Sequence, residues 1–208
     1  MTWLLARSAG IGAFLALYLS VAWGLLSTTS LVTKRISKRS SIVLHASVAT
    51  AGLVLLALHL TGLALDRFVR FDVLDFVVPA RAAYRPFATG LGVLAMYATV
   101  IVLASSWVRR GLRPALWRAI HLLAVPAFAM ALLHGLLAGS DAARPALADL
   151  YGLAGLSVLF LLLVRAFTAR PARRSASPRP QRTSVGREGA PDRPDRRSVP
   201  EPVLSADT

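Results

Sequence analysis

The sequence predicts an all-α membrane protein, a polytopic bundle of five transmembrane helices, and three observations carry that prediction. Of its 208 residues 55% are hydrophobic and only 16% are charged, against about 25% charged in a soluble domain. The charges are gathered into short basic clusters between long uncharged runs, and ten of the 24 basic residues lie from Arg165 onward. The uncharged runs have the length a bilayer requires, about 20 residues for a spanning helix.

The first run covers Ser8–Thr33, with Lys34, Arg35, Lys38 and Arg39 behind it. A signal peptide carries its charges in front of a shorter apolar stretch, so this run is read as a retained helix. The second run is Ser40–Leu65, the third Pro86–Val108 and the fourth Ala119–Ser140. The fifth, Leu150–Val164, is short, and reaches spanning length if its helix starts near Pro145 with Asp149 at the interface. Between the second and third helices, Asp66–Arg85 mixes charge with Phe68, Val69, Phe71, Val73, Leu74 and Phe76. That mixture resembles an interfacial lid. Residues 1–169 thus form the membrane domain. From about Arg170 to residue 208 the chain is rich in Pro, Arg and Ser, cannot bury a core, and is expected to be a disordered basic tail.

The net charge of +14 does not require nucleic acid as a partner, because basic residues flank membrane helices and orient them. Lys34, Arg35, Lys38, Arg39, Arg109, Arg110, Arg113 and Arg118 share one side with the tail, and Arg7, Arg67, Arg70, Arg81, Arg85 and Arg144 lie on the other. The count of 18 against 6, or 8 against 6 without the tail, puts the N-terminus outside the cell membrane and the C-terminus in the cytoplasm. There is no cysteine, which excludes thiolate-bound iron–sulfur clusters, CxxCH-attached haem and disulfides.

All four histidines fall within these helices, His45 and His59 on the second, His121 and His134 on the fourth. An ionisable side chain at membrane depth is a functional-site candidate by default. A spacing of fourteen places His45 and His59 within roughly 40° of one face and about 21 Å apart along the axis. That is too far for one metal ion, and it suits two sites near opposite faces of a hydrocarbon core about 30 Å thick. Each level takes one histidine from each helix, which is bis-histidine ligation. His121 and His134 are thirteen apart, about 140° out of phase in an ideal helix. Pro126 between them removes the hydrogen bond to the Leu122 carbonyl, and the kink is expected to turn both toward the second helix.

Other residues allow two readings each. Gly52 lies seven residues from each histidine of its helix, where it admits either a flat macrocycle or a neighbouring helix. Phe128 lies midway along the fourth helix, between the two levels or in ordinary packing. Arg118, one turn before His121, is a candidate partner for an anionic cofactor group, as are Arg7, Arg81 and Arg85 on the other side. Plain interfacial anchoring is the alternative for each.

These residues resemble the ferric reductase-like transmembrane domain, shared by ferric reductases, NADPH oxidases and the haem subunit of a bacterial methionine sulfoxide reductase system. The resemblance rests on His45-x13-His59 and His121-x12-His134, on WRAIHLLAVPAFAMALLHG, on RPFATGLGVLAMYATVIVLASSW and on LLARSAGIGAFLAL, and covers about Thr2 to Phe167. It implies two b-type haems, His45 pairing with His121 at the cytoplasmic one and His59 with His134 at the outer one, with Arg7 near the outer haem. It implies transmembrane electron transfer from a separate cytoplasmic-side or membrane donor, a flavoprotein or a quinol, to an external acceptor such as ferric iron. That makes the chain an oxidoreductase component. The acceptor would meet the outer haem near Arg7, Arg81, Tyr84 and Arg85, where positive charge favours anionic chelates. Relatives often carry a cytosolic flavin and nicotinamide domain. Here about 40 residues follow the last helix, without a Gly-rich dinucleotide fingerprint. Two alternatives stand beside this expectation: a haem-binding anchor subunit delivering electrons to a periplasmic or extracellular reductase, and a haem-free transporter or proton relay.

Overall fold

The computed structural model describes residues 2–27, 36–66, 71–142 and 144–168. Lys34, Arg35, Arg67, Phe68, Val69, Arg70 and the tail beyond Thr168 lie outside them, so the expectations placed there are not addressed.

Among the described residues the architecture is helical, without strands. Helix α1 runs Thr2–Leu26, α2 Lys38–Ala64, α3 Pro86–Trp107, α4 Pro114–His121, α5 Ala124–Ala138 and α6 Pro145–Thr168. Helices α4 and α5 form one span, so five segments of 22 to 27 residues are long and apolar enough to cross a membrane. Helix α1 starts six residues before its uncharged run. Arg7 is taken into the helix and neutralised by an ion pair with Asp141, so the charge that marked the boundary in the sequence does not end the helix. The last helix begins at Pro145, the start expected for it.

Local signals set the starts. Ser37 caps α2, its hydroxyl accepting from the Ser40 N–H at 3.1 Å. Pro86 and Pro114 open α3 and α4, where a missing N–H costs nothing. Before α3, Arg85 adopts a left-handed conformation with φ 42°. Asp72 and Asp75 form a reciprocal capping box around the short turn Val73–Phe76. That turn belongs to the segment read as a lid.

Helix α1 packs along α2, α3 packs along α5, and α1 also meets α5 and α6. Phe14, Val21, Phe128, Tyr151, Ala154 and Val158 form the core at this junction. Phe14 stacks on Phe128 at 5.8 Å and meets Tyr151 at 4.8 Å. Large apolar side chains such as Val54, Leu58, Leu94, Ile101, Leu153, Leu156 and Phe160 face outward. An outward apolar belt suits lipid as the solvent, since lipid tails are as apolar as the side chains. Helices α2 and α5 do not close on each other, and the gap between them is the cavity described next.

Candidate functional site

The fourth span breaks between α4 and α5, one turn ahead of Pro126. Proline cannot donate to the Leu122 carbonyl, and its ring crowds that carbonyl. The chain answers with tighter turns: the Leu123 N–H bonds the Ile120 carbonyl at 2.9 Å, and the Val125 N–H takes the Leu122 carbonyl at 3.1 Å. Bonds to the third residue back rotate the chain about 20° more per residue than α-helix does. This advances His134 in the direction that closes its phase gap from His121. The result is two opposed ring pairs, His45 with His121 at a centroid separation of 6.0 Å and His59 with His134 at 6.4 Å.

Both pairs line one continuous cavity of about 980 Å³, at the upper end of the roughly 300–1,000 Å³ usual for ligand pockets. Among the described residues no third His, Asp or Glu joins either pair as a metal-binding group. A pair alone would suit a metal whose other ligands come from a cofactor, as in haem. The spacing fits that use: two imidazole nitrogens each about 2.0–2.1 Å from a shared metal would put the ring centroids roughly 6.4 Å apart.

The outer nitrogens of the rings differ between the two levels. His59 Nδ1 donates to the Ala6 carbonyl at 2.6 Å and His134 Nδ1 to the Ala88 carbonyl at 2.8 Å. A carbonyl only accepts, so both rings carry a proton on Nδ1, and in the neutral ring Nε2 is the nitrogen left free to accept. This bond fixes tautomer and orientation, as it does for metal-binding histidines generally. At the other level His45 Nδ1 meets the Ser20 hydroxyl at 3.3 Å. Among the described residues His121 Nδ1 is buried without a partner, as is the indole N–H of Trp117, whose ring stacks on His121 at 4.9 Å.

The remaining predicted residues divide. Gly52 lines the cavity, and a Cβ there would meet the Ala16 Cβ of α1 at 3.1 Å, so it serves a helix contact as well. Arg7 and Tyr84 line the His59/His134 end of the cavity. Arg7 pairs with Asp141 and lies over the Trp3 ring at 4.1 Å. The Tyr84 hydroxyl donates to the Ala138 carbonyl at 3.2 Å. Arg85 is not on the cavity wall; it donates to the Leu137 carbonyl and lies 5.5 Å over the Tyr84 ring. Arg81 pairs with Asp72 at 3.2 Å and with Asp75 at 3.7 Å. At the opposite end Arg118 is exposed and off the wall, and Arg109 and Arg165 line it instead. Arg109 lies 4.5 Å over the Trp117 ring. Phe128 is buried in the core and does not line the cavity. From the lid, Phe71, Asp75 and Phe76 reach the wall.

The sequence reading had no place for Ser20, Arg109, Trp117 or the carbonyls of Ala6 and Ala88. A backbone acceptor has no sequence signature, Arg109 is one of several basic residues flanking a span, and nothing in the spacing sets Trp117 apart. Comparison of the chain with protein-family models, with curated proteins and with solved structures returns no match.

Proposed function

We propose that this chain is a membrane b-type cytochrome, passing electrons between the two sides of a bilayer through two haems. The observation that carries the reading is the pair of opposed imidazole couples, 6.0 and 6.4 Å between centroids, at two levels of one cavity. When bound, each haem supplies a reversible one-electron iron couple. His45 and His121 would ligate one and His59 and His134 the other. The chain's own contribution is to orient imidazoles by contacts at Nδ1, His59 and His134 through main-chain carbonyls and His45 through the Ser20 hydroxyl, which leaves Nε2 of those rings as the nitrogen that would meet a metal. Two histidines holding each haem would leave no protein-free position for a substrate at the metal, and the chemistry it would then supply is outer-sphere electron transfer. The likeness to ferric reductase-like domains belongs to this proposal, as does the direction from a cytoplasmic donor at the His45/His121 end to an external acceptor at the His59/His134 end.

The charges at that end give a specific reason to keep an external reductase, beside a ferric chelate, as the acceptor. Arg7 and Arg81 are matched by Asp141, Asp72 and Asp75, so these two arginines do not draw an anionic chelate as free cations would. Trp3, Phe71, Phe76 and Tyr84 line the same end, and aromatic surface is what a protein partner uses. Delivery to an external reductase is therefore the second reading.

The test is a haem count. Purified protein should hold two non-covalent, low-spin haems. Each single His→Ala variant should lose one or turn it high-spin, with His45 and His121 affecting the same one. A protein that takes up no haem after supplementation sinks the reading and leaves the haem-free transporter or proton relay.

A further inference from the structure

We propose that Gly10 and Gly92 are positioning residues for the His59/His134 pair, each keeping clear the approach of a histidine to a main-chain carbonyl. The inference rests on the electron-carrier reading and assigns a role to residues that touch no metal.

In an α-helix the N–H of residue i+4 bonds the carbonyl of residue i, so the side chain at i+4 stands beside that carbonyl. A histidine from a neighbouring helix can share the carbonyl only if that place is empty. Gly10 is four residues beyond Ala6, and Gly92 is four beyond Ala88. A Cβ at position 10 would stand 2.8 Å from His59 Nδ1 and 3.0 Å from its Cε1. At position 92 it would stand 2.7 Å from His134 Nδ1 and 2.8 Å from its Cε1. The three nearest atoms at each site all belong to the histidine ring. Neither ring can yield and keep its bond, because each is pinned to its carbonyl at 2.6 or 2.8 Å.

Other close glycines behave differently. A Cβ at Gly62 would meet the backbone of Ala6, and one at Gly90 the backbone of Ala80, which marks them as packing glycines. At the other histidine level the same register recurs with a looser fit. Gly24 is four residues beyond Ser20, and a Cβ there would lie 3.6 Å from His45 Cε1, an ordinary contact. The Ser20 hydroxyl reaches out to His45, so that histidine need not press against the main chain. Alanine should therefore be harmful at 10 and 92 and tolerated at 24.

An imidazole that loses its Nδ1–H···O=C bond becomes a less basic ligand and a less oriented one. Loss of such a bond costs about 10–100-fold in metal affinity. A less basic ligand also stabilises the ferric state less, so the potential rises.

The experiment uses the full-length, haem-loaded chain with Gly10→Ala, Gly92→Ala and Gly24→Ala, read by redox titration and low-temperature spin-state spectra. In Gly10→Ala and in Gly92→Ala, the haem that His59→Ala removes should turn high-spin, bind more weakly or shift to higher potential, with the other haem unchanged. Gly24→Ala should alter neither. A two-haem protein in which both haems ignore Gly10→Ala and Gly92→Ala, or in which both respond equally, overturns the positioning role and leaves the carrier reading standing. An unmodified protein without haem refutes the carrier reading itself. Should either variant fail to accumulate, redox-difference infrared spectra of the unmodified protein with 15N-labelled histidine decide: two histidines should show strongly hydrogen-bonded Nδ1–H modes, and fewer than two overturns the proposal.

Discussion

Ser20 shows what a single hydroxyl contributes here. It is 8% exposed, on the helix that packs against α2, and its Oγ is 3.3 Å from His45 Nδ1. Ser20→Ala leaves His45 without that partner, as His121 already is, so the whole His45/His121 level would lack hydrogen bonds at Nδ1 among the described residues. We expect about a 10-fold loss in affinity for the haem at that level alone, measured by haem retention during dilution; an equal loss at both levels would contradict the assignment. Arg7 offers a second check. Its ion pair with Asp141 is about 20% exposed on each side chain. Removing one partner of a half-buried pair leaves the other charge facing an apolar wall. Asp141→Ala should therefore disturb the His59/His134 haem more than Arg144→Ala, whose guanidinium is 74% exposed. Pair histidines were legible as residues because ionisable groups in apolar runs are rare; their hydrogen-bond partners were not, because a carbonyl of Ala6 reads like any other.

At the scale of elements, the α4–α5 break decides the site. A thirteen-residue spacing in a straight helix leaves the two rings about 140° apart, yet both face α2. Pro126→Ala removes the cause of the break and lets the Leu122 carbonyl accept an ordinary α-helical bond, a change worth about 3 kcal/mol in favour of the straight form. We expect this variant to lose or loosen one haem. Adding one alanine after Leu123 in the same variant makes the spacing fourteen, equal to that of α2, and should restore it. Restoration is read from the low-spin optical spectrum; failure of the insertion to recover any haem would show that more than phase is at stake. Phe128 matters in a different way. It is 4% exposed and stacked on Phe14, so Phe128→Ala should cost about 3–5 kcal/mol of packing and lower thermal stability without selecting either haem.

For the whole molecule the proposed carrier reading is tested by vectorial transfer. Liposomes carrying the protein, with a reductant inside and an impermeant acceptor outside, should show acceptor reduction that requires haem and stops in His59→Ala or His121→Ala. Equal rates in haem-free liposomes would remove the carrier reading. The lid between α2 and α3, bound to the bundle by the Tyr97 hydroxyl donating to the Val77 carbonyl, is expected outside. A reporter joined after Thr168 should be active only in the cytoplasm, and activity only outside would reverse the orientation.

The sequence by itself determined the five spans and the start of the last helix at Pro145, because span length, charge exclusion and proline placement are local properties of a chain in an apolar solvent, and it singled out the four histidines as candidates. It also located the break near Pro126, since a missing N–H acts within one turn. Which arginines reach the cavity was decided by the tertiary structure. Arg109 and Arg118 both flank the fourth span in the sequence, yet Arg109 lines the cavity and Arg118 is exposed off its wall. The same holds for the charge at the His59/His134 end: Arg7 and Asp141 are 134 positions apart, and their pairing exists only because α1 begins where α5 ends.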